Sequence, residues 1–203
     1  MKTTYFSIFV ITLFGLFTNM PIASEQDGKT IKAFSSESSS EALTLEAKAI
    51  AKTFSSRLKP ILKSAIQSGG FTSAVEVCSS AAPEIAKNLS LETGWSISRV
   101  SLQPRNLHSA VADPFEYEVL REFDERQLKG ESAQLMHYSK IVNNEYRFMK
   151  AQGVEAICLN CHGKNISGEL KQKIMTHYPD DAATGYSLGQ IRGAISLTKT
   201  LDK

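Results

Sequence analysis

The segment Cys158-Leu159-Asn160-Cys161-His162 has the residue types and spacing with which a polypeptide attaches haem covalently. Two thiols bond to the vinyl groups of one porphyrin, and the adjacent histidine ligates the iron. The same cysteines could form a thioredoxin-like redox pair or half of a zinc site. A redox pair would open a helix after a strand, and zinc would need two further ligands at short spacing. Neither pattern is found, so the sequence predicts one covalent haem c, with His162 as an axial ligand.

The third cysteine, Cys78, is left unpaired once two thiols are used for attachment. In an oxidising compartment a free thiol is at risk unless it is buried or bound. Cys78 is therefore either a core residue among small neighbours or a second iron ligand. Histidine and methionine are alternative ligands, because His/His and His/Met pairs are common in electron carriers. The other candidates are His108, His137, His177, Met136, Met149 and Met175, of which His108 is the main rival because it lies in a loop.

Two arginines are candidate partners for the haem propionates. Arg99 lies within a predicted strand and Arg105 directly follows it. Guanidinium groups bind carboxylates bidentately, so we expect these side chains to bind the cofactor rather than to be solvated surface residues. The acidic pair Asp180-Asp181 is interpreted as a turn rather than as a metal site.

The elements that must position these residues begin with helices. Apolar residues recur at helical intervals over residues 41–67, where Pro60 should bend or split the helix and Gly69-Gly70 should end it. A second helix starts near Thr72, turns Cys78 inward and is expected to break at Pro83. Residues 95–102 alternate as a strand, and Asp113-Pro114 opens a helix over residues 115–128.

The second half of the chain predicts mainly strands. Residues 137–142 and 145–150 form a hairpin around Asn143-Asn144, because asparagine tolerates the left-handed conformation of a tight turn. Residues 154–157 are read as a short strand that leads to the haem segment, residues 167–177 as a helix, and residues 191–198 as the last strand. Helices followed by antiparallel strands indicate an α+β domain.

The first 24 residues have the layout of a secretory signal peptide. Lys2 is the basic start, residues 5–17 are the apolar segment, and Ala23-Ser24 supplies a small-residue cleavage site. The apolar segment is short for a membrane span of about 20 residues, so we expect cleavage and no stable membrane insertion afterwards. Because haem attachment at this motif follows export, both features predict a periplasmic protein.

Length and composition fit one globular domain after this signal. The chain has 203 residues, of which 42% are hydrophobic, and a net charge of +2. Such a small net charge argues against a nucleic-acid partner. Residues 25–40 are polar and serine-rich and are predicted to be a linker, which leaves residues 41–203 as the haem-binding domain.

Several longer stretches resemble a family of exported c-type haem domains with a PAS-like fold and His/Cys ligation. The stretches that carry the resemblance are residues 74–86 around Cys78, Arg99 to Asn106, Cys158 to Gly163, and Tyr178-Pro179-Asp180-Asp181 through Gly185-Tyr186 to residues 192–196. The sequence departs from the family pattern at Leu107-His108-Ser109. The resemblance implies a PAS-like antiparallel sheet, with N-terminal helices packed around a covalent haem that His162 and Cys78 ligate.

A haem with two protein ligands has no open position for a substrate, so we expect no enzymatic activity. The function expected is electron transfer or a redox response, in which an anionic thiolate favours ferric iron. The alternative is a sensor in which nitric oxide or carbon monoxide displaces Cys78. The partner would be a redox protein or a signalling receiver.

Overall fold

The computed structural model describes the backbone of residues 27–201 and the side chains from residue 39 onward. The predicted signal peptide, residues 1–24, lies outside this range. The chain divides between Ser38 and Ser39, and the sheet and the predicted site residues belong to the second unit. No helix in the described range is long and apolar enough to cross a membrane.

The described residues form helices and one antiparallel sheet, which confirms the α+β prediction. The helices are α1 (Asp27–Thr93), α2 (Pro114–Leu128), α3 (Leu159–His162) and α4 (Gly168–His177). The strands are β1 (Ser96–Val100), β2 (His137–Val142), β3 (Glu145–Gly153) and β4 (Ile191–Thr200). They form one sheet in the order β1-β4-β3-β2, and all neighbouring strands are antiparallel.

Helix α1 covers one face of the sheet. Its residues Ala47, Phe54, Ile85 and Leu89 belong to the same buried cluster as strand residues from β1, β3 and β4, among them Ile97, Phe148 and Leu197. Gly69 and Gly70 interrupt α1, as the sequence predicted, and both halves contribute to this cluster. A side-chain pair between Arg57 and Glu92, at 2.8 Å, also joins the two halves.

Helix α2 covers the opposite face through Val119, Leu120 and Phe123, which pack on Met149 and Ala194. Its start is fixed by a capping box, in which Asp113 accepts from the Glu116 amide and Glu116 accepts from the Asp113 amide. The predicted hairpin is also confirmed, with positive φ angles of 50° at Asn143 and 64° at Asn144. Side chains along the strands alternate between the two faces of the sheet, so one apolar layer lies under α1 and another under α2.

The structure differs from the sequence predictions at three places. Helix α1 begins at Asp27 rather than at residue 41, so residues 27–40 of the predicted linker are helical, because extending a formed helix costs far less than starting one. Helix α1 is not split at Pro60 or broken at Pro83; both prolines are exposed, so water can satisfy the carbonyls that proline leaves free. Residues 154–157 do not form a strand; a 3₁₀ turn, Ala156–Cys158, leads into α3 instead.

Candidate haem site

A cavity of about 320 Å³ lies where the second half of α1 meets β1, the loop that follows β1, and the start of β4. Both Cys78 and His162 line it, although they are far apart in sequence. Arg99, Arg105 and Arg192 line the same cavity. The fold therefore brings the predicted axial residues and a set of cationic groups to one place.

His162 ends the short helix α3 and is held by the segment that follows α4. Its Nδ1 lies 2.7 Å from the carbonyl oxygen of Ala183. A carbonyl can only accept, so Nδ1 carries the proton and the lone pair is on Nε2. Burial, with smaller contributions from the charges of Arg192, Arg105 and Arg99, lowers the pKa of His162 to about 2. The imidazole is therefore neutral and has a free nitrogen, which is the form that ligates iron.

Cys78 lies on the second half of α1 and is half-buried. Ala82, Pro83 and Ala86, which follow it along the helix, line the same cavity. These side chains are small or lack polar atoms, so they leave space beside the thiol, whereas Ser79 and Lys87 of the same helix add polar groups to the lining. The position suits either a packed cysteine or a soft metal ligand.

The two other thiols lie beside the cavity rather than among its lining residues. Cys158 precedes α3 and Cys161 lies within it, and both are free and half-buried. The pKa of Cys161 is raised to about 11, chiefly by burial; Arg105 acts against this shift, and Cys78 and Cys158 add to it. Cys161 also packs against the buried cluster formed by Val75, Leu170, Ile174 and Tyr178. Cys158 and Cys161 thus lie on the turn that carries His162, and the charge of Cys78 acts on Cys161 from α1.

The cavity carries positive charge that the protein does not neutralise. Burial, together with the neighbouring charges of Arg99 and Arg105, lowers the pKa of Arg192 to about 10. Burial also lowers the pKa of Arg99, whereas Cys78 and Tyr178 raise it. Over residues 39–201, neither Arg99 nor Arg192 has a hydrogen-bonding or ion-pairing partner for its side chain, and Arg105 pairs with Asp181. A carboxylate ligand in the cavity would satisfy this charge.

None of the rival ligands lines the cavity. His108 is exposed in the loop after β1, although its neighbours Asn106 and Ser109 do line the cavity. His137 stacks on Phe148 with ring centroids 5.7 Å apart, as expected of a sheet residue. The remaining alternatives are the buried core residues Met136 and Met149 and the exposed residues Met175 and His177. Cys78 is the alternative that shares the cavity with His162.

Three contributors to the site were not recognised from the sequence. Arg192 and Tyr178 line the cavity, and Asp181, expected to act in a turn, accepts from the Ala183 amide and also binds Arg105. Tyr178 is 8% exposed, and its hydroxyl has no hydrogen-bonding partner in the described part of the chain. The signal was present in the family-like segment from Tyr178 to Arg192, but nothing local to that segment showed which side chains face the cavity.

A metal centre built from protein side chains alone is not found. Within residues 39–201, which include every cysteine and histidine, no three His, Cys, Asp or Glu side chains are grouped so as to hold a metal ion. The Cys158–Cys161 pair therefore lacks the additional ligands of a structural zinc site. A neutral imidazole, a nearby thiol and unpaired arginines fit the donor set and the two carboxylates of a haem.

Comparison with known proteins gives a family match and a structural match. A family described as Tll0287-like matches residues 31–199. A solved structure, that of the cyanobacterial haem protein Tll0287, is 22% identical and superposes with a TM-score of 0.58. The alignment covers 78% of this chain and 97% of the other. No protein with a curated description matches the chain. The structural likeness supports the fold assigned above.

Proposed function

The chain belongs to the Tll0287-like family, and on this premise we propose that its unit from Ser39 onward binds one haem c in the cavity lined by His162 and Cys78. One observation carries the proposal: a neutral imidazole with a free Nε2 and a thiol from a distant helix line the same cavity. His162 is the proximal ligand and Cys78 the distal ligand of the iron. The arrangement of helices around the antiparallel sheet is PAS-like.

The proposed attachment uses Cys158 and Cys161. Both thiols are free, and both lie on the turn that carries His162, as the Cys-x-x-Cys-His spacing requires. Arg99 and Arg192 bind the propionates, because both are half-buried residues that line the cavity and their charges otherwise lack a partner in the described unit. Arg105 contributes from the edge of the same cavity.

The function we propose is electron transfer or a redox response, with no enzymatic activity. Haem iron supplies a one-electron couple, and ligation at both axial positions leaves no site for a substrate. The thiolate of Cys78 favours ferric iron and therefore gives a low midpoint potential. The site of action we propose is the periplasm, since attachment at this motif follows export and the first 24 residues have the layout of a signal peptide. The partner is a redox protein or a signalling receiver, not a nucleic acid.

A second candidate function is the sensing of a small gaseous ligand such as nitric oxide or carbon monoxide. The observation that favours it is the connection between Cys78 and a second element. Glu76, two residues before Cys78 on α1, pairs with Lys173 of α4 at 2.5 Å. Displacement of the Cys78 sulfur from iron would therefore act on a helix that is coupled to a neighbour.

The experiment that tests haem attachment compares the exported protein with its Cys158→Ala/Cys161→Ala variant. After acid-acetone extraction, haem staining of wild-type protein should remain with the polypeptide on a denaturing gel. The intact mass should exceed that of the processed chain by one haem. The double variant should lose both signals, whereas Cys78→Ala should retain them because Cys78 forms no thioether. Wild-type protein without covalent haem would refute the proposal.

A further inference from the structure

Arg105 lines the proposed haem cavity, yet its hydrogen bonds are to Asp181 and to two backbone carbonyls. Its Nε and Nη2 donate to the two carboxylate oxygens of Asp181, each at 3.1 Å. The pair is largely buried, with side-chain exposures of 11% for Arg105 and 6% for Asp181. A bidentate pair removed from water resists solvent screening and fixes the orientation of both groups.

The same guanidinium also donates to two backbone carbonyls near His162. Nη2 of Arg105 donates to the Cys161 carbonyl at 2.5 Å and to the Ala183 carbonyl at 3.3 Å. The Ala183 carbonyl also accepts from Nδ1 of His162 at 2.7 Å. Arg105 therefore joins the turn that carries the proximal histidine to the carbonyl that fixes its tautomer.

Asp181 completes this unit from the other side. Its Oδ1 accepts from the Ala183 amide at 2.9 Å, which fixes the peptide whose carbonyl faces His162. The Tyr186 amide donates to the His162 carbonyl and the Gly185 amide to the Gly163 carbonyl, each at 3.0 Å. Backbone hydrogen bonds thus connect the segment from Asp181 to Tyr186 to the turn that carries His162. The Arg105–Asp181 pair lies at one end of this segment.

We propose that Arg105 and Asp181 are positioning residues that hold the His162 imidazole and set its donor strength toward iron, an inference that rests on the haem binding proposed above. A guanidinium bonded to the Ala183 oxygen withdraws electron density from it, so this oxygen accepts less strongly from Nδ1. A weaker bond at Nδ1 leaves the imidazole a weaker donor at Nε2. Asp181 partly neutralises the guanidinium and so moderates this effect.

The two members of the pair therefore affect the iron with opposite signs. Loss of the Arg105 charge strengthens the Nδ1 bond and leaves Asp181 unneutralised, and both changes favour ferric iron. Loss of the Asp181 charge leaves the guanidinium unneutralised and favours ferrous iron. A purely structural ion pair predicts something else, because removal of either partner would loosen the same turn and shift the potential in one direction.

The test measures the midpoint potential of holoprotein carrying Arg105→Gln, Asp181→Asn or both. We expect Arg105→Gln to lower the potential and Asp181→Asn to raise it, each by about tenfold in the reduction equilibrium constant, or about 59 mV for one electron. The double variant should lie between the single variants. Arg57→Gln is the matched control, since Arg57 forms an exposed bidentate pair with Glu92, and it should leave the potential unchanged.

Arg105→Lys serves as a second variant in case the neutral substitution prevents folding. Lysine keeps the charge but not the fork, so the potential should stay near the wild-type value. Solvent exchange of the His162 Nδ1 proton, followed by NMR in the ferrous protein, should become faster in this variant. Covalent haem with potential shifts of the same sign, or with no shifts, overturns this inference alone. Absence of covalent haem from the wild type would instead refute the proposed function.

Discussion

At the scale of single residues, the properties of the site follow from a few fixed protons and charges. The Ala183 carbonyl assigns the proton of His162 to Nδ1, and burial keeps the ring neutral. The arginines around the cavity disfavour a cationic imidazole still more. The positive charges that disfavour a proton on Nε2 thus leave that nitrogen free to bind a metal. The same charges attract an anionic group to the cavity.

Cys78 provides the sharpest test at this scale. In the Cys78→Ala variant, the haem should remain attached but lose its anionic axial ligand. The ferric spectrum should change from low-spin with a narrow spread of g values to high-spin or water-ligated, and the midpoint potential should rise. The measurement is electron paramagnetic resonance together with potentiometry.

His108→Ala is the matched control for this prediction, because His108 is the rival ligand and is exposed outside the cavity lining. It should reproduce the wild-type spectrum. If Cys78→Ala matches the wild type while His108→Ala changes the spectrum, Cys78 is a packing residue and the loop after β1 supplies the ligand.

At the scale of elements, placement of the site depends on the interruption of α1. Gly70 has φ 71° and ψ −168°, a conformation that residues with a Cβ atom rarely adopt. The interruption lets both halves of the helix pack in one cluster and gives the second half the direction that brings Cys78 to the cavity. The turn is therefore needed for both the core and the site.

Gly70→Ala should consequently destabilise the protein by roughly 1–3 kcal/mol, the usual cost of such a strained backbone conformation. No neighbouring atom lies within 4 Å of the added Cβ, so the loss would come from backbone strain and not from a clash. Urea unfolding with a common m-value measures the change. Gly168→Ala is the matched control. Gly168 also has open space around it but no positive φ, so this substitution should be neutral or slightly stabilising.

The elements that the sequence predicted well are those fixed by neighbouring residues. The capping box at Asp113 and Glu116 and the turn at Asn143-Asn144 involve side chains and backbone within a few positions of each other. The course of α1 through Pro83 could not be read in this way, because packing of Ala82, Ile85 and Leu89 against the sheet outweighs the local cost of proline. Whether a helix continues through a proline depends on tertiary burial, which cannot be predicted from the neighbouring residues alone.

At the scale of the whole molecule, the site exists only because distant parts of the chain converge. The thiol comes from α1, one arginine from β1, another from β4, and the histidine from α3. The haem segment could be recognised because attachment chemistry fixes its spacing locally. The roles of Arg192 and Tyr178 could not, since each depends on which distant elements share the cavity. The fold, and not the local sequence, therefore determines that Arg192 and Tyr178 line the cavity.

The two candidate functions differ in whether Cys78 stays bound to the reduced iron. An electron carrier should keep Cys78 bound in the ferrous state, so carbon monoxide should bind wild-type protein about tenfold or more weakly than it binds Cys78→Ala, in which the position is open. Optical titration of both reduced proteins measures this ratio.

A sensor should instead bind carbon monoxide or nitric oxide readily and release Cys78. Because Glu76 joins this part of α1 to Lys173 of α4, the release should increase hydrogen exchange across residues 71–93 and 168–177 together. Lys173→Gln should uncouple α4 from that change while leaving the gas affinity of the iron nearly unaltered. Tight gas binding with coupled exchange would contradict the electron-transfer function and favour the sensor. Weak binding with unchanged exchange would contradict the sensor, because its signal requires the helix that carries Cys78 to respond.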